Sequence, residues 1–379
     1  MKKLGFGFMR LPLLDKSDQT SFDYALLNKM VDAFIERGFS YFDTALVYHN
    51  SKSEEAVRKA LVERHPRSSF QLATKLPPRV LKSEEEQEQI FNEQLAKCGV
   101  DFFDYYLVHN IGYGAYQQAK QFKTFEFAQR KKREGKIINA GMSFHDKPEL
   151  LDEILTAHPE LDFVQLQINY IDWENPGIQS EKCWKVARKH EMPIIVMEPC
   201  KGGNLAKVPP EAEQLMKAYN PEASVPSWAI RFAAGQEGVF MVLSGMNSME
   251  QILDNMSYMD NFKPFGKEEY EIAQKAAKII EKDMAISCTN CRYCVDECPK
   301  KIAIPDDFAL YNSAKRDVTG NIMSQFTYYM NLASTHGKAG DCIACKKCEQ
   351  VCPQRLQISD LMKNVSATFD KMTMPGKGR

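Results

Sequence analysis

Eight of the chain's 11 cysteines lie in its last quarter, in two runs of identical spacing, and no other feature restricts the fold so strongly. The first run is Cys288-x2-Cys291-x2-Cys294-x3-Cys298-Pro299; the second, Cys342-x2-Cys345-x2-Cys348-x3-Cys352-Pro353, repeats it with every cysteine displaced by 54 residues. Such tight, repeated grouping is unlike the dispersed pairs of a secreted disulfide scaffold and belongs to metal ligation in a reducing compartment. A cytoplasmic location is expected. The N-terminus agrees: Lys2 and Lys3 precede a short apolar run, but Arg10 and Pro12 interrupt it and no small-residue cleavage site follows. No apolar run approaches the ~18 residues of a membrane span, so no membrane association is expected.

The spacing also selects the metal. Structural zinc takes two C-x2-C pairs per tetrahedral site rather than four cysteines in one run. Three thiolates at C-x2-C-x2-C spacing grip three corners of a 4Fe-4S cube, while the fourth cysteine, followed by proline, ligates the other cluster. Two 4Fe-4S clusters are therefore expected, one on Cys288, Cys291, Cys294 and Cys352, the other on Cys342, Cys345, Cys348 and Cys298. The 43 residues between the runs are too long for a compact hairpin unit and read as mostly helical over 306–332. This region resembles an α-helical ferredoxin. Cys98, Cys183 and Cys200 lie outside it and read as ordinary buried thiols.

Upstream, short β-branched or aromatic runs alternate with amphipathic stretches, the pattern of an α/β fold. Residues 22–37 place Leu26, Leu27, Met30, Val31, Phe34 and Ile35 on one helical face, with Gly38 fit to cap the helix. Candidate strands are 5–11, 40–43, 70–75, 104–109, 137–143, 163–168, 193–198 and 239–244. Eight β/α units over roughly 250 residues predict a (β/α)8 TIM barrel. The competing doubly wound fold wants G-x-G-x-x-G after its first strand, but Gly5-x-Gly7 is followed by Arg10 where the third glycine belongs. A Glu- and Lys-rich helix over 264–284 closes the barrel, giving expected domains of 1–284 (barrel) and 285–379 (mainly α-helical iron–sulfur domain).

Barrel enzymes place their chemistry at the C-terminal ends of the strands. There the chain has Asp43 with Tyr48 in the loop beyond it, Lys75 and His109. A phenol beside a lysine that is held by a carboxylate is expected to have its pKa drawn down and to act as a general acid. The contexts Phe42-Asp43-Thr44-Ala45, Val47-Tyr48-His49, Ala73-Thr74-Lys75 and Leu107-Val108-His109 resemble the catalytic tetrad of the aldo-keto reductases in order and spacing, over residues 4–260. The resemblance implies hydride transfer between NADP or NAD and a small-molecule carbonyl or alcohol. It implies that Tyr48 protonates the developing alkoxide, Lys75 and Asp43 tune Tyr48, and His109 orients the carbonyl.

The resemblance further implies a cofactor site. Ser143 and Gln165 match groups that hold the nicotinamide amide; Pro199, Gly202 and Gly203 match a pyrophosphate loop; and Ser244, Gly245, Met246, Ser248, Gln251 and Asn255 match the adenosine end. Three positions depart from the family's pattern. Phe144 stands where an asparagine is common, Met197 where many members stack a tyrosine, and uncharged Gly245 and Gln251 where cations grip the 2′-phosphate of NADP. The ferredoxin-like domain follows the last barrel helix, where family members wall the substrate pocket, and is expected to do the same. Trp173, Trp228 and Tyr170 read as packing aromatics.

The leading expectation is an NAD(P)-dependent oxidoreductase of aldo-keto reductase type that carries iron–sulfur clusters for electron transfer or pocket structure. The alternative is a nicotinamide-binding redox sensor or docking module. With 49 basic against 50 acidic side chains, the charge balance argues against a nucleic-acid partner. A four-thiolate cluster carries about −2 when oxidised, so the formal −1 becomes about −5 in the loaded chain. A redox protein partner with a basic docking surface is the expectation that follows.

Overall fold

Eight parallel strands close into a barrel in chain order: β1 (Leu4–Gly7), β2 (Tyr41–Asp43), β3 (Gln71–Leu76), β4 (Phe103–Ile111), β5 (Ile137–Phe144), β6 (Phe163–Gln167), β7 (Ile194–Met197) and β8 (Val239–Gly245), with β8 pairing back onto β1. This is the (β/α)8 architecture expected. The computed structural model of the chain describes residues 2–282, 285, 286, 288, 290–317, 319–352 and 354–373. Met284, at the expected domain boundary, and Pro353 of the second cysteine run lie outside them. Among the described residues no helix is long and apolar enough to cross a membrane.

The barrel interior is filled by Tyr41, Tyr105, Leu107, Phe163, Ile195, Met241 and Leu243. Two glycines make room for these rings. A Cβ on Gly5 would sit 2.7 Å from Leu243 and 2.9 Å from Tyr41, and one on Gly141 would sit 2.5 Å from the Phe163 carbonyl oxygen. Outside, the helix Tyr24–Glu36 is capped by the Asp23 carboxylate on Leu26 N and buries Leu27, Met30, Val31 and Phe34. Each such buried side chain contributes about 1.5–3 kcal/mol. Leu26 and Ile35, expected on the same face, are only partly buried. The first strand is shorter than the expected 5–11. After Gly7 the chain leaves the barrel and crosses its mouth, tied by an antiparallel bridge between Leu13 and Phe22.

The C-terminal domain repeats in backbone as well as in sequence. Asn290, Arg292 and Lys301 have positive φ, as do Ala344, Lys346 and Arg355, the residues 54 positions on. In each half a one-turn helix carries the third cysteine (Tyr293–Asp296 and Lys347–Gln350), and a longer helix follows (Ile304–Lys315 and Ile358–Phe369), again 54 residues apart. The helix Met323–Leu332 lies between the halves, and Phe308, Phe326, Tyr329, Met362, Val365 and Phe369 form the core.

This core also takes in Ile178 of the barrel. Polar contacts join the domains at the barrel mouth. Ser324 Oγ donates to Gln167 Oε1 (2.7 Å), Asn331 Nδ2 to the His145 carbonyl oxygen (2.8 Å) and Asn204 Nδ2 to Asp317 Oδ2 (2.7 Å), and Lys147 pairs with Asp306 (3.3 Å).

Candidate functional site

Because every strand points the same way, all eight carboxyl ends meet at one mouth. Asp43 ends β2, Lys75 lies one residue from the end of β3, and His109 lies near the end of β4. Lys75 is fully buried; its ammonium donates to the Asp43 carboxylate, to the Thr44 carbonyl oxygen (2.7 Å) and to Tyr48 Oη (3.4 Å). The Tyr48 and His109 rings meet edge to face, 5.9 Å between centroids. Tyr48 is presented by a turn in which His49, Asn50 and Ser51 all have positive φ, a conformation costly for residues other than glycine. His49 holds that turn: Leu11 N donates to its Nε2 (3.4 Å), so its Nδ1–H donates to the Gln19 carbonyl oxygen (2.8 Å).

The electrostatics of Tyr48 differ from the expectation. Burial raises the phenol's pKa; Lys75 opposes this, but Asp43 adds to it, and the net direction is upward. The physical reason is that Lys75 is not a lone cation. Paired with Asp43 it acts on the phenol as a dipole, too weak to offset desolvation. Burial alone would lower the lysine, but Asp43 and Tyr48 hold it up, so it stays protonated. Burial pushes the Asp43 carboxyl up against the pull of Lys75. Burial, then Lys75, Arg79 and His145, hold His109 neutral; burial and Arg79 press His145 down to about 3.

A cleft of about 390 Å³ opens above these groups. Asp43, Tyr48, His109, Gln165 and Gly245 line it, while Lys75 and Ser143 lie wholly buried behind its wall. Asn110 N donates to Ser143 Oγ (2.7 Å). The amide nitrogen of Gln165 is buried without a well-formed partner, although the Asp43 carboxylate is near; Asn110 Oδ1, His109 Nδ1 and His145 Nδ1 are likewise unpartnered. Unmet buried polar groups at a cleft wall suit a polar ligand that satisfies them, so this end of the cleft fits a carboxamide-bearing ring such as nicotinamide.

The other expected cofactor residues do not line the cleft. The β7 loop holding Pro199, Gly202 (φ +68°) and Gly203 (φ +106°) is tied down: Glu198 accepts from Gly202 N and pairs with Arg10 (2.8 Å), and the buried Lys201 pairs with Asp172. Ser244 accepts from Asn255 Nδ2 (2.9 Å) and Ser248 from Gln251 N (3.2 Å), and Met246 is buried. These residues shape the turn into the helix Met249–Met259, whose N-terminus suits an anion. Trp173, Trp228 and Tyr170 also lie away from the cleft.

Several lining residues had not been singled out. Arg10 stood inside the expected first strand, Arg79 follows β3, and His145 lies two residues after Ser143, where the same strand-end rule points to it. Asn321, Met323, Ser324 and Thr327 come from the C-terminal domain, so that domain walls the cleft. No local sequence pattern could have supplied them.

The cysteines form two sets. One small apolar cavity is lined by Cys288, Cys291, Cys294 and Cys352, the other by Cys298, Cys342, Cys345 and Cys348. Among the described residues no three metal-ligating side chains converge on one ion; the sulfurs stand around a cavity instead, the arrangement that suits a cube with a thiolate at each corner. Burial pushes the Cys294 thiol up to about 12 and Cys348 to about 11. Groups so placed become thiolates only against a bound cation. Cys200, outside both sets, is pushed up to about 12 by burial and is a protonated thiol.

A parallel barrel with an ion pair buried beneath a mouth tyrosine, walled by a cysteine-rich helical domain, defines a barrel oxidoreductase with an iron–sulfur appendage. Residues 3–278 match the aldo/keto reductase family, and residues 256–357 match the 4Fe-4S dicluster domain. The chain belongs to the aldo/keto reductase family and carries a C-terminal 4Fe-4S dicluster domain. It is similar to the uncharacterized oxidoreductase YqkF of Bacillus subtilis, 22% identical over 279 residues, covering 66% of this chain and 87% of that protein. Among solved structures, aldo-keto reductase AKR11C1 of Bacillus halodurans has a TM-score of 0.58 at 23% identity, covering 72% of this chain and 91% of that one. A Klebsiella pneumoniae aldo-keto reductase solved with NADPH has a TM-score of 0.58 at 20% identity, covering 73% and 90%. At these identities the structures speak for the fold.

Proposed function

We propose that this protein is a cytoplasmic NAD(P)H-dependent oxidoreductase that reduces the carbonyl of a small aldehyde or ketone, or oxidises the alcohol. One observation carries the reading: a fully buried lysine, ionised by its aspartate, 3.4 Å from a tyrosine hydroxyl at the mouth of the barrel. Reduced nicotinamide supplies the hydride when bound, and 4Fe-4S clusters move electrons one at a time. The chain's own residues do the rest. Tyr48 Oη, protonated at neutral pH, donates to the carbonyl oxygen and passes its proton as that oxygen becomes an alkoxide. Lys75 stabilises the phenolate left behind, Asp43 keeps Lys75 charged and in place, and neutral His109 orients the carbonyl without adding a charge.

Gln165 and Ser143 would hold the carboxamide of the nicotinamide, the β7 loop 199–203 its pyrophosphate, and residues 244–255 its adenosine. The NADPH of the Klebsiella relative supports this class of cofactor; Gly245 and Gln251 bring no cation for a 2′-phosphate, so NAD stays beside NADP. Cys288, Cys291, Cys294 and Cys352 would ligate one 4Fe-4S cluster, and Cys298, Cys342, Cys345 and Cys348 the second, in a domain beginning near residue 285. The test is anaerobic purification with iron and sulfide analysis, followed by a panel of carbonyls with NADPH and NADH. About eight iron and eight sulfide per chain and carbonyl-dependent nicotinamide oxidation are expected. Zinc in place of iron, or no turnover across a broad panel, overturns the reading, the latter in favour of a redox sensor.

A further inference from the structure

The two cysteine sets match in exposure but differ in the charged side chains around them. Around the set of Cys298, Cys342, Cys345 and Cys348 the cavity lining includes Lys300, Lys346 and Ile343, and Lys301 and Lys347 follow directly in the chain. All four lysines are exposed, Cys345 is exposed, and Ile343 leaves 59% of its surface in water. The acidic side chains near this face are Glu297, which lines the same cavity, Asp341, before Cys342, and Glu349 and Asp360, both close enough to Lys346 to act on it; Glu349 is taken up by Ser359 and Asp360 by Lys363, a further cation near Cys342. An exposed apolar side chain beside a cluster of exposed ammonium groups is the makeup of a small transient docking patch, with the charged groups steering the encounter. Around the other set the lining cation, Arg292, between Cys291 and Cys294, is taken up by buried Asp306 (2.9 Å), and Asp306 pairs with Lys147 of the barrel (3.3 Å).

We infer that the face carrying Lys300, Lys301, Lys346, Lys347 and Ile343 is a docking surface for a small acidic one-electron carrier protein, which exchanges electrons with the cluster held by Cys298, Cys342, Cys345 and Cys348. This rests on the proposed iron–sulfur reading. It reverses the basic partner expected from net charge, because the ammonium groups are exposed while Cys348 is buried and Cys298 and Cys342 are half-buried, so a partner meets the lysines first. In the forward step one electron leaves the reduced cofactor of the carrier and enters this cluster. The carrier is oxidised by one electron and the cluster reduced by one, with no bond made or broken.

The test uses the full-length, cluster-loaded protein, with a flavodoxin as the acidic probe and cytochrome c as the basic one. Binding is measured by calorimetry, and electron transfer by stopped-flow absorbance. The flavodoxin should bind the more tightly, and its Kd should rise at least about tenfold between about 20 mM and about 300 mM salt. K301E/K347E should raise the low-salt Kd about tenfold without changing iron content or carbonyl turnover, and K275E, on an exposed barrel helix, should change neither. If the double variant loses iron, K301Q/K347Q and the salt series on the unmodified protein decide. Tighter binding of cytochrome c, salt-independent binding, or a patch whose substitution changes only self-association overturns the inference. Protein without iron overturns it together with the iron–sulfur reading, whereas loaded protein that reduces carbonyls but ignores flavodoxin overturns the docking surface alone.

Discussion

Replacing Lys75 by methionine isolates the electrostatics of the site. The substitution keeps the side chain's length and removes a cation that is 0% exposed from a carboxylate that is 3% exposed. Asp43 would then be a buried charge facing only weak polar groups, a situation that costs about 3–5 kcal/mol. The carboxyl can escape by taking up a proton, so the cost depends on pH. With its folded pKa raised above the unfolded value, Asp43 in Lys75→Met favours the fold at low pH and opposes it as pH rises. The gap to the unmodified protein should therefore narrow between pH 7 and pH 5. Asp43→Asn/Lys75→Met removes both charges and should cost less than the sum of the single changes by about 2–3 kcal/mol. All three tryptophans, Trp173, Trp184 and Trp228, lie in the barrel, so urea unfolding followed by tryptophan fluorescence reads the barrel rather than the cysteine-rich domain. Additive single changes, or a Lys75→Met cost under about 1 kcal/mol at pH 7, would refute the buried pair as the organising element of the site.

Other outcomes follow from neighbouring residues. His145, pressed down to about 3, stays neutral in the fold while the unfolded chain protonates below about 6.5. Its stabilisation is present above that pH and lost on acidification, by about 1.4 kcal/mol at pH 5.5. His145→Phe should thus lose less stability than the unmodified protein between pH 7.5 and pH 5.5 in urea titrations. If oxidative removal of iron loosens the C-terminal domain, as metal loss does in small metal-bound domains, it should raise the carbonyl KM more than the nicotinamide Kd, because the helix Met323–Leu332 of that domain walls the cleft; equal effects on both would argue against that wall. Met323→Ala should shift the preference toward bulkier carbonyls by about tenfold in relative kcat/KM, and an unchanged ranking would show that Met323 does not contact substrate.

Much of this was readable from the chain because the signals are local. Strand ends carry Asp43, Lys75 and His109 to the mouth whatever the loops do, and a repeat of 54 residues pairs each set of three cysteines with the fourth of the other run. What could not be read depends on long-range placement. Arg10 sits in a short apolar run that looks like strand, and only the structure turns it out of the barrel to meet Glu198. Thr327 and Met323 reach the cleft across more than 200 residues of sequence from Tyr48. The Tyr48 shift runs opposite to the expectation because Asp43 cancels most of the charge that Lys75 would bring as a lone cation, and burial then decides the direction. The acidic partner proposed above differs from the basic one expected from net charge for a related reason: net charge says nothing about which charges stand at the surface.

The most direct measurement is steady-state and single-turnover carbonyl reduction by Tyr48→Phe, with iron content and nicotinamide binding determined on the same protein. The account predicts that kcat falls by about 10²–10⁴, while nicotinamide Kd, iron content and urea midpoint stay close to those of the unmodified protein. Carbonyl reduction within about twofold of normal in a fully loaded Tyr48→Phe protein would contradict Tyr48 as the proton donor.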